Sequence, residues 1–261
     1  MKKNAIVTGA ASGFGFEFSK LLAEDSYNLI LVDINGPGLL EVKQELEKKY
    51  IIRIDLIECD LSKMGSVSKI FTRVRSKPVD VLINNAGYGL YGFFTKTDWQ
   101  IEEDMIHLHV LNLTHLTKLI LVKMTDIGSG RIMNVSSVAA FQPGPLMAVY
   151  YATKAFILSF TEALSNEVKG TGVTVTAFCP GQTNTNFQKT VASLSGSKVS
   201  STRYFMADRA IAARYGYEAM MAGKQVAVPG IINKIIIQAY RIIPRQSALS
   251  FIRKMQEKIR K

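Results

Sequence analysis

Short runs of consecutive apolar residues alternate with amphipathic stretches through most of this chain. Ala5–Thr8, Leu29–Val32, Ile52–Ile57 and Val79–Ile83 are rich in Ile, Val and Leu, and turn residues follow each run. Uninterrupted apolar runs of this length mark strands buried on both faces, as in a parallel sheet. Helical periodicity fills the intervals at 13–25, 37–49 and 63–75. Two further strands are predicted at Arg131–Val135 and Val173–Phe178, preceded by long helices over 98–124 and 149–169. This β-α alternation predicts a single doubly wound α/β domain with helices on both faces of the sheet.

Residues 185–208 break the pattern. They are rich in Ser, Thr, Lys and Asn, and a mobile flap is expected there. A helix starting at Ala207-Asp208 and a last strand at Gln225–Val228 follow. The domain is expected to cover 1–230, with 231–261 as a basic amphipathic extension.

With 261 residues, 48% of them hydrophobic, the chain has enough apolar surface for one large core. Cys59 and Cys179 both sit in apolar runs and read as small buried side chains of a reducing compartment. No cysteine or histidine spacing suggests a metal site. His107, His109 and His115 fall on one predicted helix and read as surface or interface residues. The apolar run after Met1-Lys2-Lys3 is too short for a signal peptide, and no stretch of about 20 apolar residues predicts a membrane span. A cytoplasmic protein is expected. The net charge of +11 is concentrated near the C-terminus, where Glu257 is the single acid after Gly230. Leu249, Ile252, Met255 and Ile259 recur there at helical spacing, which suits either packing on a neighbouring subunit or peripheral contact with anionic lipid, and no nucleic acid is expected as a partner.

The chemistry begins at Thr8-Gly9-Ala10-Ala11-Ser12-Gly13-Phe14-Gly15, between the first strand and the first helix. Glycines there allow a tight turn and close backbone approach to a pyrophosphate, and the helix N-terminus offers free N–H groups. Asp33 ends the second strand, where a carboxylate accepts hydrogen bonds from ribose hydroxyls and repels a 2′-phosphate. No Lys or Arg stands at 34–36 or 10–14, so NAD is favoured and NADP is the alternative. Asp60-Leu61 follows the third strand and suits either an adenine contact through Asp60 or a helix cap. Tyr150 and Lys154 lie four apart and share a helix face, so an ammonium stands beside a phenol as a candidate acid/base pair.

In this order, Thr8-Gly-x-x-x-Gly13-x-Gly15, Asp60, Asn84-Asn85-Ala86-Gly87, Asn112, Ser137, Tyr150-x-x-x-Lys154 and Pro180-Gly181 resemble the short-chain dehydrogenase/reductase family. The part around Gly223-Lys224 and Pro244-Arg245 resembles a bacterial subgroup of undefined substrate. The resemblance implies a Rossmann-type seven-stranded sheet in the order 3-2-1-4-5-6-7 and a homodimer or homotetramer. It implies that Asn85, Ala86 and Gly87 line the adenine-ribose side, that Lys154 meets the nicotinamide ribose, and that Asn112 holds a water linked to Lys154. Thr183 or Thr185, after Pro180-Gly181, would meet the carboxamide.

The expected reaction interconverts a ketone or aldehyde and a secondary alcohol. Tyr150 carries the proton, with its pKa brought from about 10 toward roughly 7 by Lys154 and the positive nicotinamide. Ser137 orients the substrate oxygen. Tyr151 has Ala155 four residues on and is not the proton carrier. Loops after Gly87 and Ser137, with Tyr88, Leu90, Tyr91, Phe93, Phe141, Pro143, Leu146 and Met147, predict an apolar or mixed small-molecule substrate. A dinucleotide-binding sensor without turnover, or a membrane-docked scaffold of the same fold, is the alternative.

Overall fold

The computed structural model describes residues 2–183, 186–196 and 207–259. Seven parallel strands run β1 (Asn4–Thr8), β2 (Asn28–Asp33), β3 (Ile54–Glu58), β4 (Val81–Asn84), β5 (Gly130–Val135), β6 (Val173–Phe178) and β7 (Val226–Ala227). Their order in the sheet is β3-β2-β1-β4-β5-β6-β7, as the resemblance implies. The order reverses between β1 and β4, and a crevice opens at the carboxyl ends of the strands there.

Helices α1 (Gly13–Glu24), α2 (Gly36–Glu47) and α8 (Arg209–Met221) cover one face. Phe18, Leu22, Leu39 and Leu46 bury against β1 and β2 on that side. On the other face lie α3 (Ser66–Val74), α5 (Leu113–Ile127) and α6 (Ala148–Glu167), where Ile70, Leu116, Ile120 and Met124 pack on Ile6, Leu82 and Ile132. The helix expected over 98–124 is not uniform. It begins as α4 (Trp99–Ile106), loosens into a π-helical turn (His107–Asn112) and resumes as α5. Trp99–Ile127 is long and apolar enough to cross a membrane by composition, a stretch the hydropathy pattern alone did not single out. Its buried residues, Met105, Leu113, Leu116, Ile120 and Met124, pack within the protein core.

The expected flap is a helix in part: α7 (Phe187–Ser195), held by the apolar Val191. Thr185 and residues 197–206 lie outside the described residues. Past β7 come α9 (Ile231–Ile242) and α10 (Arg245–Ile259). Ala248, Ile252 and Gln256 of α10 are buried, and Gln256 Nε2 donates to the Tyr151 hydroxyl at 2.8 Å. Within the tail stripe Ile252 turns inward and Leu249 and Met255 are half-buried, while exposed apolar surface lies along α9 and at Phe251 of α10.

Side-chain amides tie the strand ends together. Asn84 and Asn134 are paired in register on β4 and β5. Asn84 Nδ2 donates to Thr117 Oγ1 of α5 at 2.9 Å and to Asn134 Oδ1 at 2.8 Å. Asn134 Nδ2 continues to Thr161 Oγ1 of α6 at 3.0 Å. All four residues are buried. Replacing Asn134 by Ala removes one hydrogen bond each from Asn84 and Thr161, which keep Thr117 and the Ile157 carbonyl as partners, at a cost of about 0.5–1.5 kcal/mol per lost bond. A lower urea midpoint for Asn134→Ala is expected; an unchanged midpoint would show that the chain of amides does not stabilise the sheet.

Candidate active site

The turn after β1 is fixed by its neighbours. Gly9 has φ +65, and a Cβ there would stand 2.8 Å from Ala86 Cα. A Cβ on Gly15 would run into the Gly9 carbonyl. Thr8 Oγ1 accepts from the N–H groups of Asn85 and Ala86 at 2.9 and 3.1 Å. Asn85 Nδ2 donates back to the carbonyls of Thr8 and Gly9 at 3.0 and 3.1 Å. The Phe14 ring is core, edge-on to Phe178 with centroids 5.4 Å apart, so only its backbone serves the turn. Ser12 caps α1 without a side-chain hydrogen bond, which leaves the first-turn N–H groups uncapped beside the crevice.

The crevice has a volume of about 480 Å³. Gly9, Ser12, Gly13, Phe14, Asp33, Asp60, Leu61, Asn85, Ala86 and Gly87 line one part of it. Ser137, Tyr150, Lys154, Pro180, Gly181 and Thr183 line the other. Asp33 is held in place by the N–H of Ala11 on Oδ2 and of Asn35 on Oδ1, both at 2.9 Å. Asp60 Oδ1 accepts from Ser62 N and Oγ at 2.9 and 2.7 Å in a local turn, and the N-cap of α3 is Gly65 rather than Asp60. Thr183 Oγ1 donates to the Gly181 carbonyl at 3.0 Å. Uncapped N–H groups, a carboxylate at the end of β2 and a long crevice between them fit an adenine dinucleotide.

Three bonds set α6 against the end of β5. Lys154 Nζ donates to the Val135 carbonyl at 2.9 Å, Ser136 Oγ donates to the Lys154 carbonyl at 2.8 Å, and Asn134 reaches Thr161. Ser137, next along, caps a short 3-10 turn (Val138–Phe141) by accepting from Ala139 N at 3.1 Å. Its hydroxyl also meets the Tyr150 phenol. Burial raises the Tyr150 pKa well above that of a free phenol, with the Ser137 contact opposing the shift. Burial pushes Lys154 down to about 8. The Lys154 ammonium stands 5.8 Å from the Tyr150 ring centroid and is engaged by Val135. Desolvation is thus the largest influence on the phenol in this buried corner.

Asn112 is placed elsewhere than the motif reading put it. Its Nδ2 donates to the carbonyls of Leu61 and Lys63 at 2.7 and 3.1 Å, which ties the π-helical turn to the loop after β3. The residue beside the catalytic pair is His109, which was read as a surface or interface histidine. It is fully buried, 6.2 Å from the Tyr150 ring centroid to centroid. Nδ1 lies 2.9 Å from Thr153 Oγ1, and Thr153 Oγ1 donates to the Tyr150 carbonyl at 2.9 Å. With the hydroxyl proton committed to that carbonyl, Nδ1 carries the ring proton and Nε2 is a bare acceptor. Nε2 has no hydrogen-bond partner and faces Gly87, which Lys154 Nζ also approaches. Burial, reinforced by Lys154, holds the His109 pKa well below its ordinary value and the ring neutral. One sequence signal was available: on a helix His109 shares a face with Met105 and Leu113 and so points inward.

Apolar walls close the rest. Tyr88, Met147, Tyr151, Phe187 and Met255 line the crevice. Leu90, Phe93 and Leu146 line a separate pocket of about 130 Å³ beside it.

Fold and crevice together define an oxidoreductase of the dinucleotide-binding class. The model for short chain dehydrogenases matches residues 3–194. A very-long-chain 3-oxoacyl-CoA reductase of Danio rerio is 31% identical over 192 residues, covering 72% of this chain and 61% of the relative. This chain thus spans about three fifths of that relative's length. Among solved structures, a short-chain dehydrogenase from Sphingobium yanoikuyae in complex with NADPH is 25% identical with a TM-score of 0.82, covering 88% of both chains. A bulky-bulky ketone specific alcohol dehydrogenase from Comamonas testosteroni is 25% identical, TM-score 0.80, covering 95% of this chain and 94% of that one. The chain belongs to the short-chain dehydrogenase/reductase family of NAD(P)-dependent oxidoreductases.

The buried lysine makes stability depend on pH. Its folded pKa of about 8 lies below the ordinary 10.5. Between those values the unfolded chain holds a proton that the folded chain has lost, so the lysine's contribution to stability rises with pH across that window. The stability of wild type minus that of Lys154→Met, from urea melts, is expected to increase from pH 8 to pH 10. A flat difference would show that Lys154 keeps its ordinary pKa in the fold.

Proposed function

We propose that this protein interconverts a ketone and a secondary alcohol on an apolar or mixed small molecule, with Tyr150 as the general acid/base. The observation that carries this reading is the convergence of Ser137, Tyr150 and Lys154 on the crevice that the Gly9–Gly15 turn opens. The dinucleotide, when bound, supplies or accepts the hydride. Gly13, Phe14 and Gly15 offer backbone N–H groups to its pyrophosphate, and Asp33 takes the adenosine ribose hydroxyls, which favours NAD over NADP. Asn85, Ala86 and Gly87 flank the adenine-ribose side, with Asp60 and Leu61 at the adenine. Pro180, Gly181 and Thr183 flank the carboxamide end, and Thr185 is assigned there by sequence alone.

Ser137 donates to the substrate oxygen and holds it against the phenol. Tyr150 gives that oxygen a proton in reduction and takes it back in oxidation. Lys154 brings positive charge next to the phenol, so a phenolate that burial disfavours becomes tolerable during the transfer. The walls Tyr88, Met147, Tyr151, Phe187 and Met255 suit a bulky apolar carbonyl rather than a small charged metabolite. In this reading the enzyme is cytoplasmic, works as a homodimer or homotetramer, and meets the membrane peripherally through its C-terminal helices.

His109 acts in this reaction as a positioning residue. Its Nδ1–H, through Thr153, fixes the backbone of Tyr150, and its bare Nε2 faces Gly87, which Lys154 Nζ also approaches.

The test is turnover on a panel of bulky ketones with NADH and NADPH. Tyr150→Phe is expected to lose turnover by roughly 10²–10⁴-fold and to keep dinucleotide binding. Robust activity in that variant would overturn the assignment, and binding with no turnover in wild type on a broad panel would favour the sensor. His109→Leu is expected to lower kcat, to leave KM for the dinucleotide nearly unchanged and to move the pH–rate profile. His109→Asn, which keeps a polar side chain, restores part of the rate; equal profiles for all three proteins would reduce His109 to packing.

A further inference from the structure

The C-terminal helix pair presents a surface that the catalytic reading does not use. Ile231, Ile235 and Ile242 form one row along α9, and Ile232 and Ile236 form the next, with Ile243 just past the helix end. Ile231, Ile232, Ile235 and Ile242 are 61–85% exposed, and Ile236 and Ile243 are each 43% exposed. Single exposed apolar residues are ordinary, but six isoleucines on one exposed face are not. The opposite side of α9 is anchored. Ile237 is buried, and Asn233 Nδ2 donates to the Pro229 carbonyl at 2.8 Å. The Asn233 side chain also covers Gly181, where an added Cβ would meet it at 2.7 Å. The face is thus held rigidly outward from the rim of the crevice.

The charge of the C-terminal segment selects the occupant. Residues 231–261 contain eight Lys or Arg and one acid. Lys234 is an exposed cation of α9 itself, and Lys254 and Lys258 are exposed on α10. A second copy of this chain would bring the same cationic helices against each other, which repels. An anionic bilayer supplies the opposite charge and a depth of hydrocarbon for the isoleucines, the pattern of an interfacial helix.

We propose that the isoleucine face of α9 docks this protein on an anionic lipid bilayer. The proposal rests on the peripheral contact inferred above and moves it from the α10 stripe, where Ile252 is buried and Leu249 and Met255 are half-buried, to α9. Asn233 of the same helix lies against Gly181 of the crevice lining, so docking through α9 brings that wall of the crevice toward the membrane.

The full chain is sedimented with phosphatidylcholine vesicles, with and without phosphatidylserine, at low and moderate salt. Wild type is expected to pellet with the phosphatidylserine vesicles, less so as salt rises. The double variant Ile235→Ser/Ile236→Ser is expected to lose at least tenfold in binding. Its turnover of a soluble ketone stays at the wild-type level. Three results would overturn the proposal. In one, wild type remains in the supernatant with both vesicle types. In another, the double variant binds as wild type does. In the third, wild type binds no vesicles and the double variant lowers its oligomeric mass, which makes the face a self-interface. Failure of the catalytic reading looks different: vesicle binding that depends on α9, with no turnover in either protein.

Discussion

The catalytic crevice depends on a set of hydrogen bonds at the carboxyl ends of β1, β4 and β5. Parallel strands end abruptly there, and their last backbone groups have no ladder partner. Asn85 closes the glycine turn onto Thr8 and Gly9, and Asn84 joins Asn134 and Thr117. Asn134, Ser136 and Val135 then hold α6 through Thr161 and Lys154. The nucleotide turn and the catalytic helix are therefore positioned by one connected polar lattice. A shift of β4 against β5 would displace both at once.

That lattice is buried, and burial sets the electrostatics of the site. Water-poor surroundings raise the Tyr150 phenol and lower the Lys154 ammonium, so in the isolated protein each group is pushed toward its neutral form. His109 is neutral for the same reason, with Lys154 adding to the effect. The phenol and the imidazole rest neutral there, while Lys154, at about 8, still keeps its proton near neutral pH. A positive charge arriving next to the phenol changes that balance most where the dielectric is lowest. This explains why the tyrosine, the lysine and the histidine share one dry corner rather than the solvent-exposed rim.

Much of the fold was legible in the sequence because buried parallel strands leave unbroken apolar runs. The strands from Asn4–Thr8 to Val173–Phe178 fall within a few residues of their apolar runs. The glycine turn, Ser137, Tyr150 and Lys154 were legible because each demands a residue type at a fixed spacing, and the fold brings them to one crevice. The failures share a cause: a pattern read along the chain does not report what lies across from it. Asn112 looked like the interior polar residue of its helix, but the π-helical turn rotates it toward the Leu61 and Lys63 carbonyls and brings His109 inward. The stripe of α10 looked like a lipid face because nothing in its sequence shows Tyr151 and the crevice beneath it. Of the isoleucines of α9 only Ile237 turns into the core and the rest are exposed, which the apolar run itself does not reveal.

Fluorescence titration of the purified full chain with NADH and with NADPH tests the central claim most directly, that this crevice holds a nicotinamide dinucleotide through the glycine turn and Asp33. Saturable binding of both, tighter for NADH, with the preference narrowing or reversing in Asp33→Ser, is the result the structure predicts. No saturable binding of either dinucleotide would contradict it.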